Sequence, residues 1–109
     1  MHFIGLKSCD TCRKALKAIR AAGIEPTVQD VRADGLSSDD IATLTAALGD
    51  AAINRASTTW RGLSDDEKTQ DTATLLASHP TLLKRPAIHH NGTWTLGWKP
   101  DTAAQVLGS

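Results

Sequence analysis

At 109 residues the chain is sized for one domain with its own core. Its 12 basic and 12 acidic residues cancel to zero formal net charge, which argues against a nucleic-acid coat or a polybasic membrane-surface protein. The opening run through Lys7 is too short for a signal-peptide core, nothing approaches a membrane span, and 2 cysteines are too few for a secreted disulfide scaffold, so a reducing cytoplasm is the expected setting.

His2 to Leu6 reads as a short buried strand, and Lys7 and Ser8 as the loop that follows. Next comes Cys9-Asp10-Thr11-Cys12, which holds both cysteines. From Asp10 to about Ala22 the residues are good helix formers, and Gly23 is placed to stop the helix. Cys12, Leu16, Ile19 and Gly23 share one face, while Arg13, Lys17 and Arg20 share another. Cys12 is therefore expected to point inward and Cys9 to sit at the exposed helix start, as two unequal thiols. Ile24 to Val31, with Pro26 early, alternates like an edge-tolerant strand. Strand, helix and strand in succession favour a parallel pair joined by a right-handed crossover.

Ala33-Asp34-Gly35 reads as a turn. Ser37 or Ser38, followed by Asp39 and Asp40, caps a helix to about Leu48, with Gly49 after it, and Ala51 to Arg55 forms a short extra turn. Ser64-Asp65-Asp66-Glu67 fits a capping box and predicts one helix to about Ser78, broken by Pro80. Arg85-Pro86 stands just before a strand, where a cis X-Pro bond is accommodated. Ala87–His90 and Thr93–Gly97 flank Asn91-Gly92, a strong hairpin signal, and Pro100-Asp101 opens a last helix carrying Val106 and Leu107. The order β-α-β, helical middle, β-β-α is that of thioredoxin and glutaredoxin with helices inserted at its centre. The expectation is a single α/β domain over the whole chain, 1–109, with a mixed four-stranded sheet and a helical insertion from about 32 to 82.

A cysteine at a helix N-terminus faces unpaired backbone N–H groups and the positive end of the helix dipole, which favour thiolate. In C-x-x-C spacing, Cys9 can attack a disulfide and Cys12, one turn on, can resolve the mixed disulfide. Asp10 opposes the thiolate while Lys7, Arg13 and Lys14 favour it, and the balance is open at this level. One competing reading is a half zinc site completed by histidines from His2, His79, His89 and His90. No second cysteine pair exists, however, and adjacent His89 and His90 face opposite sides of a strand. Another is a pair of inert packing thiols, which suits Cys12 better than Cys9. Taken singly, Arg55 and Arg61 read as solvated charges, and Trp60, Trp94 and Trp98 as packing residues.

Three ordered motifs, C-D-T-C-R-K-A, N-R-A-S-T-T-W-R-G-L and L-L-K-R-P-A-I-H-H-N-G-T-W-T-L-G-W, together resemble the ArsC/Spx family and, within it, the YffB-like group. The resemblance runs from Phe3 to the last helix. It implies a thioredoxin-like fold with an inserted helical subdomain and a cis proline at Pro86. Arsenate reductases of this family use one nucleophilic cysteine, at the position of Cys9, and three arginines that hold the oxyanion. Two of those positions fall on Arg55 and Arg85; planar guanidinium groups suit tetrahedral oxyanions. At the third position this chain has Lys99, which keeps the charge and loses the fork. Arg13 and Lys99 complete the candidates for the electropositive pocket.

Cys12 is a second departure from arsenate reductases. Spx-like regulators do carry C-x-x-C, as a redox switch, and bind the RNA polymerase α-subunit. The T-T-W-R run looks like the YffB-like group, whose proposed activity is glutathione-dependent thiol reduction. The resemblance thus implies a cytoplasmic thiol-dependent reductase with Cys9 as nucleophile, no bound cofactor and no metal. Glutathione would be its co-substrate, glutaredoxin its partner, and a small oxyanion or a disulfide its substrate. Neither nucleic acid nor membrane is expected as a partner, and the chain is expected to be a monomer. The alternative is an Spx-like redox-sensing regulator without turnover.

Overall fold

A computed structural model describes residues 1–108. The described chain runs in the order β1 (His2–Gly5), α1 (Asp10–Ala21), β2 (Thr27–Asp30), α2 (Ser38–Leu48), α3 (Thr58–Arg61), α4 (Asp65–Lys68), α5 (Thr72–Ser78), β3 (Ala87–His90), β4 (Thr93–Leu96) and α6 (Pro100–Leu107). Single 3-10 turns occupy Gly49–Ala52 and Pro80–Leu82. Met1–Asp34 and the segment from Arg85 onward form one compact unit, and Gly35–Lys84 forms another.

The first unit is built on a four-stranded sheet in the order β2-β1-β3-β4. β1 and β2 are parallel, with Gly5 opposite Asp30, while β3 runs antiparallel to both β1 and β4. This is the mixed, thioredoxin-like arrangement that the element order predicts. The β3–β4 turn forms because Asn91 and Gly92 adopt φ of 47° and 77°, the left-handed values a two-residue type I′ hairpin requires. Phe3 and Ile88 are cross-strand neighbours, so their side chains leave the same face of the sheet. Cys12, Ala15 and Ile19 of α1 and Val106 of α6 close over them to make the core. Each fully buried large side chain here contributes about 1.5–3 kcal/mol of transfer free energy. β2 is shorter than the Ile24–Val31 reading. Pro26 has no N–H to give the ladder, and beyond Asp30 the chain folds into a turn in which the Asp34 N–H donates to the Asp30 carbonyl at 2.8 Å.

The second unit is helical. Ser37 accepts from the Asp40 N–H while Asp40 accepts from the Ser37 N–H, so the capping box that starts α2 is complete. Leu44, Leu75, Leu76, Leu82 and Leu83 are fully buried and form the apolar interior of this segment. Two features depart from the sequence reading. The helix expected from Ser64 to Ser78 is two helices, α4 and α5. The Thr69 hydroxyl turns back to the Asp66 carbonyl at 2.6 Å, and Asp71 caps a fresh helix by accepting from the Thr74 N–H. Thr58–Arg61, not anticipated as regular structure, is a single helical turn started by Ser57, whose hydroxyl accepts from the Trp60 N–H. No helix among the described residues is long and apolar enough to cross a membrane.

Candidate active site

The register of the sheet decides what gathers at the C-terminal end of β1. Ala87 lies opposite Ile4, so the residues before it, Arg85 and Pro86, arrive beside the loop that leaves Gly5. The Arg85–Pro86 peptide is cis, and the Pro86 carbonyl is held by the Gly97 N–H at 3.0 Å. On the other side α1 begins, with Cys9 in extended conformation as its N-cap residue. Both cysteines are free thiols. Cys9, expected at an exposed helix start, is instead half-buried and packs against the core. Cys12 is 3% exposed and belongs to the core itself.

The two sulfurs are unequal electrostatically as well. Burial raises the Cys9 thiol, but that effect is outweighed. The N–H and S–H of Cys12, the positive charge of Arg85 and the Thr11 N–H all favour the anion, and Cys9 ends below its ordinary value of 9.0. No fully aligned capping hydrogen bond reaches the Cys9 side chain, so these first-turn donors act on the sulfur as oriented dipoles. Cys12 goes the opposite way, pushed up to about 12. Burial is the main cause, and the neighbouring Cys9 sulfur adds to it by accepting the Cys12 proton and by its charge, while the Leu6 N–H and Arg85 oppose. Of the two sulfurs, Cys9 is therefore the one favoured as thiolate, with Cys12 as the thiol beside it.

Backbone groups hold this geometry. The Leu6 carbonyl accepts from the Cys9 N–H at 3.0 Å, and the Cys9 carbonyl accepts the first helical bond from Arg13 at 3.0 Å. Gly5 has no Cβ for a steric reason: one added there would lie 2.8 Å from Phe3 Cε1 and 3.0 Å from Cys12 Sγ. Lys7 is tied to β2, its N–H donating to Asp30 Oδ2 at 2.9 Å.

Of the residues singled out in the sequence, Cys9, Cys12, Arg85 and Pro86 are brought together in the first unit. Arg13 is exposed and ion-paired with Asp10, so these two of the four charges whose balance was open offset each other. Lys99 is the exposed N-cap residue of α6. Arg55 belongs to the helical unit, where it is not a merely solvated charge: its guanidinium lies over the Trp60 ring, 5.2 Å from the centroid. Lys68 approaches the same ring at 5.8 Å. Among the described residues no three metal-ligating side chains converge.

These features sit within a chain whose residues 4–106 match the model of the ArsC family. The chain belongs to the ArsC family. An uncharacterised protein of Haemophilus influenzae is 39% identical over 99 residues, covering 86% of this chain and 87% of that protein. The global transcriptional regulator Spx of Staphylococcus aureus is 27% identical over 106 residues, covering 92% of this chain and 81% of that protein. Among solved structures, a YFFB protein superposes with a TM-score of 0.87 at 30% identity and covers 96% of each chain. An arsenate reductase (ArsC) related protein from Brucella melitensis gives 0.74 at 28% identity, covering 96% of this chain and 93% of that one.

The residue that reading this ArsC-family sequence overlooked is Asp30. Only 5% exposed, it accepts from the N–H groups of Lys7, Arg32 and Ala33. In the sequence it stands in an alternating run, Val28-Gln29-Asp30-Val31, with nothing to mark it as more than a solvated strand end. A partner 23 residues away is visible only once β1 and β2 are in register.

Proposed function

We propose that this ArsC-family chain is a cytoplasmic thiol-dependent reductase in which Cys9 is the nucleophile and Cys12 the resolving thiol. The observation that supports it most is the split of the pair. Cys9 is favoured as thiolate at a half-buried helix start beside Arg85, and Cys12 is held protonated behind it. With a disulfide substrate, the Cys9 thiolate attacks one sulfur and a mixed disulfide forms as the first thiolate leaves. Cys12 then loses its proton and attacks Cys9 Sγ. The second thiolate departs, leaving a Cys9–Cys12 disulfide and a substrate reduced by two electrons. Two molecules of glutathione, or glutaredoxin, return those electrons by the same exchange in reverse. Capture of Cys9 also removes the negative sulfur that adds to burial in keeping Cys12 protonated, so resolution becomes easier once the first step has occurred.

Arg85 is proposed to receive the anionic part of the substrate, a carboxylate or an oxyanion such as arsenate. Arg55 is proposed as a further anion contact on the family resemblance, and Arg13 and Lys99 as contributors of positive charge. The test is consumption of NADPH in a glutathione–glutaredoxin coupled assay, with arsenate and with a glutathione mixed disulfide as alternative acceptors. Cys9→Ser is expected to abolish turnover. Cys12→Ser is expected to slow it or to change its dependence on glutathione. Full activity in Cys9→Ser sinks the assignment.

A second reading is supported by the Spx relatives, whose similarity extends over 92% of this chain. In it the same pair senses oxidants in a regulator that binds the RNA polymerase α-subunit and turns nothing over. Oxidant-dependent coprecipitation of that subunit, with no turnover in the coupled assay, is the outcome it requires.

A further inference from the structure

Asp30 is a buried carboxylate of the sheet unit that accepts from three N–H groups, and the bonds are divided between its two oxygens. Oδ1 accepts from the N–H groups of Arg32 and Ala33, each at 2.8 Å, and so closes the turn after β2. Oδ2 accepts from Lys7 at 2.9 Å and so reaches across to the loop between β1 and α1. The outer side of Asp30 is fixed as well, its own N–H donating to Asp34 Oδ2 at 2.8 Å. A buried carboxylate satisfied by several N–H groups is a rigid anchor, because leaving any of those donors unpaired costs free energy.

What the anchor holds matters for the thiols. Leu6, the residue before Lys7, touches both of them: its carbonyl accepts from the Cys9 N–H, and its N–H faces the Cys12 sulfur. Gly5, one residue earlier, is packed against Cys12 Sγ. Lys7 and Ser8 are exposed. The Asp30 link adds to the Leu6 contacts a tie from the middle of the loop to the end of β2.

We propose that Asp30 is a positioning residue for the cysteine pair: by holding the Lys7 N–H it keeps Leu6 seated between Cys9 and Cys12 and keeps Cys9 against the first-turn donors of α1. The inference rests on the reading of Cys9 and Cys12 as the reacting thiols, and it assigns a role to a residue outside the motif that carries them.

Two variants separate positioning from electrostatics. Asp30→Asn keeps an oxygen for Arg32 and Ala33 but turns an NH2 toward the Lys7 N–H, severing that link alone. A backbone ester in place of the Leu6–Lys7 amide deletes the Lys7 donor and leaves every charge in place, while also weakening the Leu6 carbonyl as acceptor for the Cys9 N–H. It is accessible in the full chain by joining a synthetic 1–8 segment to Cys9 as the natural ligation cysteine. The readout is the pH midpoint of Cys9 carboxamidomethylation in protein whose far-UV circular dichroism is native. Losing the clamp is expected to raise the midpoint in both variants by about half a pH unit or more, roughly threefold in thiolate fraction at neutral pH. A through-space charge effect has the opposite sign, since removing a negative carboxylate would lower it.

Asp34→Asn, which touches only the outer side of Asp30, is expected to leave the midpoint in place. An unchanged or lowered midpoint in the ester protein overturns the proposal, as does an equal rise in Asp34→Asn. Should Asp30→Asn fail to fold, an unchanged or lowered midpoint in the ester protein still overturns the proposal. A raised midpoint in the ester protein together with full turnover in Cys9→Ser would retain the positioning role and discard the catalytic reading.

Discussion

At the scale of single residues, the site works by opposition between two sulfurs that differ in burial far more than in sequence context. Burial alone would raise both, and what distinguishes Cys9 is that donors converge on it. Substitutions at three positions follow. Arg85→Gln removes a positive charge that favours the anion at both sulfurs, and is expected to raise the Cys9 alkylation midpoint by about half a unit to one unit. Cys12→Ala removes the S–H donor outright, whereas Cys12→Ser retains an O–H. The midpoint of Cys9 is therefore expected to rise more in the alanine variant than in the serine variant, and the reverse order would refute the internal hydrogen bond. Gly5→Ala would press a methyl group against Phe3 and Cys12 Sγ, both held in the core, and is expected to destabilise by about 1–3 kcal/mol in urea unfolding.

At the scale of elements, the caps show how locally the fold is written and where that stops. Ser37 supplies a side-chain acceptor to α2 and receives one back from Asp40, so Ser37→Ala is expected to cost about 1 kcal/mol and Ser37→Gly only a few tenths. Urea midpoints at unchanged m-value would check both. Such caps are legible because donor, acceptor and spacing lie within four residues, as does the Asn91-Gly92 hairpin. The order of strands and helices was readable for the same reason, and together with the cysteine pair it carried the fold class. The division of α4 from α5 was not, because Glu67 through Gln70 continue as tolerable helix formers and the break is made by Thr69 and Asp71 side chains choosing backbone partners. Thr58–Arg61 is one turn long and offers no periodicity to read. The cysteine pair announced itself by spacing. Asp30 could not, since its contact with Lys7 exists only through the parallel register of β1 and β2.

For the molecule as a whole, acid is the condition that reaches its buried titratable groups His90 and Asp30, and it reaches them in two stages. His90 is 6% exposed, and its imidazole is held below its ordinary value of 6.5 because burial penalises the charged ring and His89 adds repulsion. The folded chain keeps His90 neutral while the unfolded chain binds a proton near pH 6.5, so stability begins to fall as the pH drops below that value and goes on falling through the lower folded pKa. Asp30 is held below its ordinary 3.8 by the Ala33 and Lys7 N–H groups, with burial opposing and the Arg32 N–H and the Lys7 charge assisting. Its contribution is therefore complete above about pH 4 and disappears as the pH falls through its depressed folded value. Glu67, favoured as the anion by Ser64 and His79, adds to the same lower window. Thermal unfolding followed by circular dichroism is thus expected to give a first decline in midpoint beginning below pH 6.5, and a steeper one below about 4. Replacing His90 by Gln should flatten the first decline and leave the second, whereas Asp30→Asn should weaken the second and leave the first. A first decline unaltered by the His90 change would mean that another group carries it.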